Sequence, residues 1–170
     1  MAAESTHQHF VRGLVAVHEQ LRSGAEQVRQ LAAASSPHQG AQLASAVDGF
    51  TETLLDHHRS EDVFFFPAFR AAARLSRNDS EFLDLRDAEH VPIHRLAVEL
   101  RDLLPQFDGR RVPTQLEHRV TANITELGEL SLPHFAEEER VLTADHLATM
   151  ITDRELGNVY RDMGRNWNRT

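Results

Sequence analysis

Apolar residues recur at alternating spacings of three and four along most of the chain, which is the period of an amphipathic helix. In one such stripe, Leu43 is followed by Val47, Phe50 and Leu54. Strand signals are nearly absent, because β-branched runs are few and no Asn-Gly or Asp-Gly pair separates two alternating segments. The pattern predicts an all-α fold.

Helix starts are marked by a Ser, Thr or Asn followed three residues later by Glu or Gln. Five such pairs occur: Ser5 and Gln8, Ser36 and Gln39, Asn78 and Glu81, Thr114 and Glu117, and Thr152 and Glu155. Pro37 follows Ser36 at a first helical position, where its missing N–H costs nothing. Together with the stripes, these starts predict helices over 6–34, 37–74, 79–105, 114–143 and, as a short one, 153–163.

The segments between the long helices are short and turn-like: "ASSP", "LSRN" and "FDGRRVP". Short connections make consecutive helices antiparallel neighbours. We therefore expect an up-down-up-down antiparallel four-helix bundle with a short fifth C-terminal helix. The whole chain, 1–170, is expected to form a single domain.

Polar residues interrupt the apolar stripes of the second and fourth helices. His57 and Glu61 occupy stripe positions in one, and His134 and Glu138 occupy them in the other. Residues four apart share a helix face, so each pair can point at one site in the core.

The neighbours of these pairs are predicted to lie off the stripe, because each residue turns a helix by about 100°. This applies to His58 and Asp62 in the second helix, and to Glu137 and Glu139 in the fourth.

The other two long helices add histidines to the same core. His18 lies between Leu14 and Leu21, and His90 and His94 lie one turn apart. Five imidazoles and two carboxylates then face one interior, and burying polar groups without partners costs several kcal/mol. A metal-free core would leave most of them unpaired, so we infer bound metal.

The donor set suits two ions with the glutamates bridging, since seven ligands are too many for one. The chain has no cysteine, which excludes thiolate sites, and carboxylates beside imidazoles favour iron or manganese. A zinc-protease motif fails because Val91 stands where glutamate is required. A ferritin-like site fails because its Glu-x-x-His motif occurs once, at Glu4 and His7.

Composition limits the partners. The formal net charge is −8, which argues against nucleic acid and anionic membranes. No apolar run approaches the ~18 residues of a membrane span, and the start lacks a signal-peptide apolar region. We expect a cytoplasmic protein, a monomer or weak homo-oligomer, whose partner is a small molecule.

The assembled pattern, H…HxxxE…HxxxH…HxxxE, resembles the hemerythrin-like (HHE cation-binding) family over about residues 6–143. Pro67 and the preceding "FFF" are also similar to that family's second helix. The resemblance implies a non-haem di-iron centre in an up-down bundle. It assigns His90, His94 and His134 to one iron, His18 and His57 to the other, and Glu61 and Glu138 as bridges beside an oxo or hydroxo group.

The family resemblance also implies an open position on the iron held by His18 and His57. Oxygen-carrying members have His-x-x-x-x-Asp in the last helix, so Glu139 is the alternative to Glu138 as the bridge. We expect binding of O2, NO or peroxide in oxygen, NO or redox handling; the alternative is a catalase-like enzyme decomposing hydrogen peroxide. Iron storage is a third interpretation, although two ions per chain would be a poor storage capacity.

The remaining histidines are expected to be solvated or at the surface: His7, His9, His38, His118 and His146. Pro92 and Pro133 each remove a helical hydrogen bond, and each is expected to invite a kink beside a ligand histidine.

Overall fold

The computed structural model describes residues 4–34, 40–107 and 113–167, with side chains up to residue 161. All regular elements in these ranges are helical. They are α1 (Thr6–Ala33), α2 (Gly40–Arg59), a π-helical segment (Ser60–Phe65), α3 (Phe66–Ala72), α4 (Arg77–Arg101), a 3-10 turn (Leu104–Gln106), α5 (Thr114–Val141), α6 (Ala144–Met150) and α7 (Asp153–Trp167).

Four long helical segments pack as a ring in which α1 contacts α2 and α5, and α4 contacts the same two helices. Consecutive helices run antiparallel. In α1 and α2, for example, Gly24 lies against Phe50, and His18 lies against His57. Contacts therefore move back along α1 as they move forward along α2. The prediction of an all-α helical bundle is confirmed.

Two predicted helix starts are confirmed by their capping hydrogen bonds. The Ser5 hydroxyl accepts from the Gln8 N–H, and the Gln8 side chain accepts in return from the Ser5 N–H. Thr152 and Glu155 make the same reciprocal pair at the start of α7. The predicted start at Ser36 lies outside the described residues.

In two other helices the predicted capping residue is wrong. Helix α4 is capped by Ser76 with Asp79 rather than by Asn78, since Ser76 has extended backbone and its hydroxyl accepts from the Asp79 N–H. Helix α5 is preceded by Pro113, which has no side chain to cap it, and Thr114 is already helical. Both helices still begin within two residues of the expected positions.

The C-terminal region holds two described helices where one was predicted. Helix α6 begins after Thr143, whose hydroxyl accepts from the His146 N–H. At the start of α7, Asp153 accepts from the backbone N–H groups of Thr6 and His7, joining α7 to the start of α1.

His7 is buried at this junction, so its predicted solvation is wrong. Its Nε2 lies 2.8 Å from the Ile151 carbonyl and its Nδ1 lies 2.7 Å from Asp153. His9 and His118 are exposed as expected, whereas His38 lies outside the described residues.

The core divides into two apolar clusters along the bundle axis. One fills the half that contains Leu21, Leu54, Ile93 and Leu127. The other joins Leu14, Phe65, Phe66, Leu83 and Leu142 to the C-terminal helices. The histidine and glutamate residues lie between these clusters, so a polar layer crosses the bundle with apolar packing on both sides.

Helices α4 and α5 are continuous through Pro92 and Pro133. None of the helices in the described ranges is both long enough and apolar enough to cross a membrane.

Candidate metal centre

The polar layer contains seven buried metal-ligating side chains contributed by all four long segments of the bundle. They are His18, His57, His58, Glu61, His90, His134 and Glu138, none more than 7% exposed. Six of them are among the seven candidates predicted from the sequence. The seventh, His58, was not a candidate, and the candidate His94 belongs to neither donor group of the described residues.

His58 is fully buried, and the prediction that it lies off the inward stripe is wrong. Thr51, two turns earlier on the same side of α2, is also fully buried, so the buried face of this helix is wider than the predicted stripe. A π-helical segment then follows, in which the Phe66 N–H bonds to the Glu61 carbonyl five residues back. A π turn holds more residues than an α turn, so it shifts the inward face around the helix axis. Pro67 favours it, since a residue without an N–H cannot bond to the Val63 carbonyl.

One group of donors comprises His18, His57, Glu61 and Glu138, whose ligating atoms all lie within 4.8 Å of one another. We call it the two-histidine subsite. The Nε2 atoms of His18 and His57 are 3.1 Å apart, and His18 Nε2 is 3.3 Å from Glu138 Oε2. His57 Nε2 is 3.6 Å from Glu61 Oε2.

A second group comprises His58, Glu61, His90 and His134, again within 4.8 Å. We call it the three-histidine subsite. The Nε2 atoms of His90 and His134 are 3.1 Å apart, and His90 Nε2 is 3.6 Å from Glu61 Oε2.

The two glutamates lie between the subsites. Glu61 belongs to both groups. Glu138 directs one oxygen to each side, with Oε2 3.3 Å from His18 Nε2 and Oε1 3.4 Å from His134 Nε2. Such a carboxylate can bridge two cations. Glu139 instead faces the outer nitrogen of His18, and Glu137 pairs with Arg140 at the surface.

A family profile described as the Hemerythrin HHE cation binding domain matches residues 9–144. The chain belongs to this family. It is therefore a cation-binding, hemerythrin-like domain, and the resemblance seen in its sequence is confirmed. No curated protein and no solved structure gave a significant match.

The donors of this hemerythrin-like domain fit a metal, because several have no other partner. Among the described residues, both ring nitrogens of His58, both oxygens of Glu138 and Oε2 of Glu61 are buried without a hydrogen bond. Unpaired buried polar groups cost about 1–3 kcal/mol each, and more when charged. Cations in the layer would satisfy the three carboxylate oxygens and one nitrogen of His58, since the two nitrogens of an imidazole ring point in different directions.

Burial also sets the protonation of the layer. It holds the pKa of His57 and His58 well below the usual range and lowers that of His134 to about 4. Burial, followed by the neighbouring Glu138 carboxylate, raises the pKa of Glu61 well above its usual range. Neutral imidazole is the form that binds metal, so the histidines are prepared for a cation.

Three ligand-type histidines donate their outer N–H to carboxylates. His18 Nδ1 is 2.8 Å from Glu139, His90 Nδ1 is 2.6 Å from Asp62, and His134 Nδ1 is 2.9 Å from Glu89. A carboxylate at Nδ1 requires the proton on that nitrogen, so the lone pair of Nε2 faces the layer. This is the usual outer arrangement of metal-bound histidine.

Two of these three outer carboxylates, those of Glu139 and Glu89, also pair with arginines. Arg22 lies 2.9 Å from Glu139, and the buried Arg86 donates to Glu89 at 2.8 Å and to the His134 carbonyl at 3.3 Å. Arg86 was not among the predicted site residues. Its position could have been found, because Leu83 and Arg86 extend the stripe of α4 back from His90 by steps of three and four.

His94 lies beside the layer and belongs to neither donor group. It is half-buried, its ring lies 5.2 Å from that of His58, and its Nε2 is buried without a hydrogen bond. Burial lowers its pKa. His146, predicted at the surface, has a side chain that is 39% exposed, and its Nε2 lies 2.8 Å from Asp79.

Aromatic rings close the layer on both sides. Phe135 stacks on His18 with ring centroids 4.4 Å apart, and Phe66 stacks on His90 at 6.1 Å. Water is thereby kept from much of the donor set, and a low local dielectric strengthens electrostatic interactions within it.

Proposed function

We propose that this hemerythrin-like domain holds two iron ions and binds a small molecule, O2 or NO, beside His18 and His57. The observation that carries the proposal is the unequal number of imidazoles at two neighbouring subsites that share Glu61. An ion with fewer protein ligands keeps a position open for an exogenous one. Bound ferrous iron would supply both that position and electrons to share with the ligand.

The proposed ligand set contains the seven buried residues of the layer. His18 and His57 serve one ion, His58, His90 and His134 serve the other, and Glu61 and Glu138 bridge them. His58 replaces His94 in this proposal because both nitrogens of His58 are buried and unpaired, and because its ring stacks on His90 at 4.0 Å.

The surroundings of the two-histidine subsite favour a neutral ligand. Phe135 covers both His18 and His57, with centroid distances of 4.4 and 6.0 Å. An apolar wall offers no partner for a charged ligand and little cost to a diatomic molecule.

Titration of the ferrous protein with NO tests the proposal. We expect about one NO per two irons, because a single subsite is open. Replacement of the exposed His118 by alanine serves as the control and should leave the stoichiometry unchanged. Iron-loaded protein that binds no NO, or two NO per iron pair, would contradict the proposal.

Decomposition of hydrogen peroxide is the second candidate, and the buried His58 favours it. Turning two peroxide molecules into oxygen and two waters requires protons to move between them. If His58 is not a ligand, its unpaired nitrogens lie within the layer, with its ring 5.4 Å from that of His57, and can carry those protons. Sustained oxygen evolution that is lost in His57→Ala, with haem excluded, would establish this activity in place of binding alone.

A further inference from the structure

A cleft of about 490 Å³ lies between α1 and α5, outside the metal layer. We call it the α1–α5 cleft. Its apolar floor is formed by Leu21, Ala25, Phe50, Ile124 and Phe135, and Gly128 lies in its wall. Charged side chains, including Arg22, Glu26 and Arg29, stand around it.

Among the described residues that line this cleft, Phe135 also contacts several rings of the metal layer. Its centroid lies 4.4 Å from that of His18, 5.7 Å from His134 and 6.0 Å from His57. The ring is 2% exposed. The Phe135 ring therefore lies between the cleft and the two-histidine subsite.

Arg22 ties this ring to the outer partner of His18. Its guanidinium lies 5.8 Å from the Phe135 centroid and 2.9 Å from Glu139, which also accepts from His18. Phe135 is thus held between an arginine on the cleft side and a histidine on the metal side.

A different opening lies over His57. Its carboxylates have no arginine beside them in the lining, whereas Glu26 and Glu129 in the α1–α5 cleft are accompanied by Arg22 and Arg29. A cavity of about 530 Å³ is lined there by Val17, Glu52, Thr53, Asp56, His57 and Ser60. Two carboxylates at its walls attract cations and bind water. An apolar floor suits a neutral molecule better, because a small apolar cavity does not hold water strongly.

We propose that the α1–α5 cleft is the access route by which a neutral diatomic molecule reaches the two-histidine subsite, with the ring of Phe135 as its gate. This inference rests on the proposed function. It adds the path, the gate and the preference for an uncharged ligand. Rotation of a buried aromatic side chain about its own bonds is sufficient to open such a gate.

The test blocks the cleft without touching the layer. A Cβ added at Gly128 meets no atom within 4 Å, so Gly128→Phe can fill the cleft without forcing the backbone. Gly13→Phe is the matched control, since Gly13 is also helical, is exposed, and its added Cβ likewise meets nothing. Association and dissociation of NO with the iron-loaded ferrous protein are followed by stopped-flow absorbance.

We expect Gly128→Phe to slow both association and dissociation by about tenfold while leaving the equilibrium constant unchanged, because a blocked path affects both directions equally. Gly13→Phe should change neither rate. Phe135→Leu should speed both, since a smaller side chain leaves the gate partly open.

Unchanged rates in Gly128→Phe, or slowing by Glu52→Phe at the cavity over His57 instead, would overturn the route. A changed equilibrium constant without matched changes in both rates would also overturn it, because the cleft would then act on the site rather than on access. Failure of wild-type iron-loaded protein to bind NO is a separate result that removes the proposed function, and the route with it.

Discussion

The two subsites of the metal layer share Glu61 but differ in three respects. The two-histidine subsite has the imidazoles of His18 and His57, and it adjoins a cleft through Phe135. One outer carboxylate, that of Glu139, accepts a hydrogen bond from His18. The three-histidine subsite has outer carboxylates on both His90 and His134, and packs against Phe66 in the apolar cluster.

In the proposed function, this difference gives the two subsites separate roles: the three-histidine subsite holds its metal firmly, and the two-histidine subsite leaves its metal open to a ligand. More imidazoles, more outer hydrogen bonds and an apolar cover fix the geometry at one subsite. In the proposed function, fewer imidazoles and an adjacent cleft leave the other subsite free to accept a ligand. One bundle can therefore build unequal positions from nearly repeated His-x-x-x-Glu segments in its second and fourth helices.

Loss of Glu138 should have the largest effect, because its two oxygens face the two subsites separately. We expect Glu138→Gln to lower bound iron from about two per chain to below about one, as the bridge loses its charge. Metal analysis after gel filtration measures this, with circular dichroism to confirm folding. Glu137→Gln, at a surface ion pair, is the control. Equal iron content in both variants would contradict the role of Glu138 as a bridging ligand.

Loss of His58 should empty one subsite and spare the other. We expect His58→Ala to reduce iron to about one per chain, with the three-histidine subsite affected. His94→Ala should retain both ions, since His94 belongs to neither donor group. The reverse pattern would return the ligand role to His94, as the sequence alone predicted.

Chelation removes both subsites together and should destabilise the fold. Metal that binds the folded state alone adds about 3–4 kcal/mol at 100–1,000 times its dissociation constant, so the melting temperature should fall by roughly 10 °C. Calorimetry with and without chelator measures the shift. Glu138→Gln should show little change on chelation, and an unchanged wild-type melting temperature would mean that the layer is stable without metal.

Acidification should weaken the metal-free fold. Below pH 6.5 the unfolded chain protonates its histidines, whereas burial keeps His57, His58 and His134 neutral in the folded state, for His134 down to about pH 4. Stability is therefore lost as the pH falls from 6.5 towards 4. The raised pKa of Glu61 acts in the opposite direction.

We expect a net loss of about 2 kcal/mol in the free energy of unfolding between pH 7.5 and pH 5.5. Urea unfolding of the metal-free protein at the two values measures it. A free energy that rises on acidification would indicate that Glu61 outweighs the three histidines.

Loss of an outer carboxylate should have the smallest effect on iron binding. Glu89→Gln should weaken iron binding at the three-histidine subsite by about tenfold and leave the other subsite unchanged. Glu139→Gln should do the converse, because Glu139 accepts from His18. Competition with a chelator resolves the two affinities; equal weakening of both ions by either variant would show that the subsites are not independent.

Much of the fold could be predicted because helix periodicity and capping chemistry are local. The stripes gave the four long segments, and Ser5 with Gln8 gave the start of α1. Helix α6 was missed because its seven residues are too few for a stripe, and its cap at Thr143 lacks a Glu or Gln three residues later. Ser76 was missed in favour of Asn78 because both lie in one polar run.

Six of the seven buried donors of the layer were candidates from the sequence, and His58 was not. Counting by 100° per residue puts His58 off the stripe, but Thr51, on the same side of α2, is fully buried as well, so the buried face is wider than the stripe. The π-helical segment from Ser60 to Phe65 then shifts the residues that follow it, so Phe69 is buried in the second apolar cluster where the regular stripe would have continued to Ala68. Hydrogen bonds to the outer carboxylates, such as that of His134 with Glu89, join different helices. The spacing of residues within one helix therefore cannot predict them.

The central claim is that one layer holds two iron ions in unequal surroundings, and Mössbauer spectroscopy of the iron-57-loaded protein tests it most directly. We expect about two irons per chain and two quadrupole doublets of equal area, one for each subsite. A single iron per chain, or one doublet from two irons in equivalent surroundings, would contradict the account.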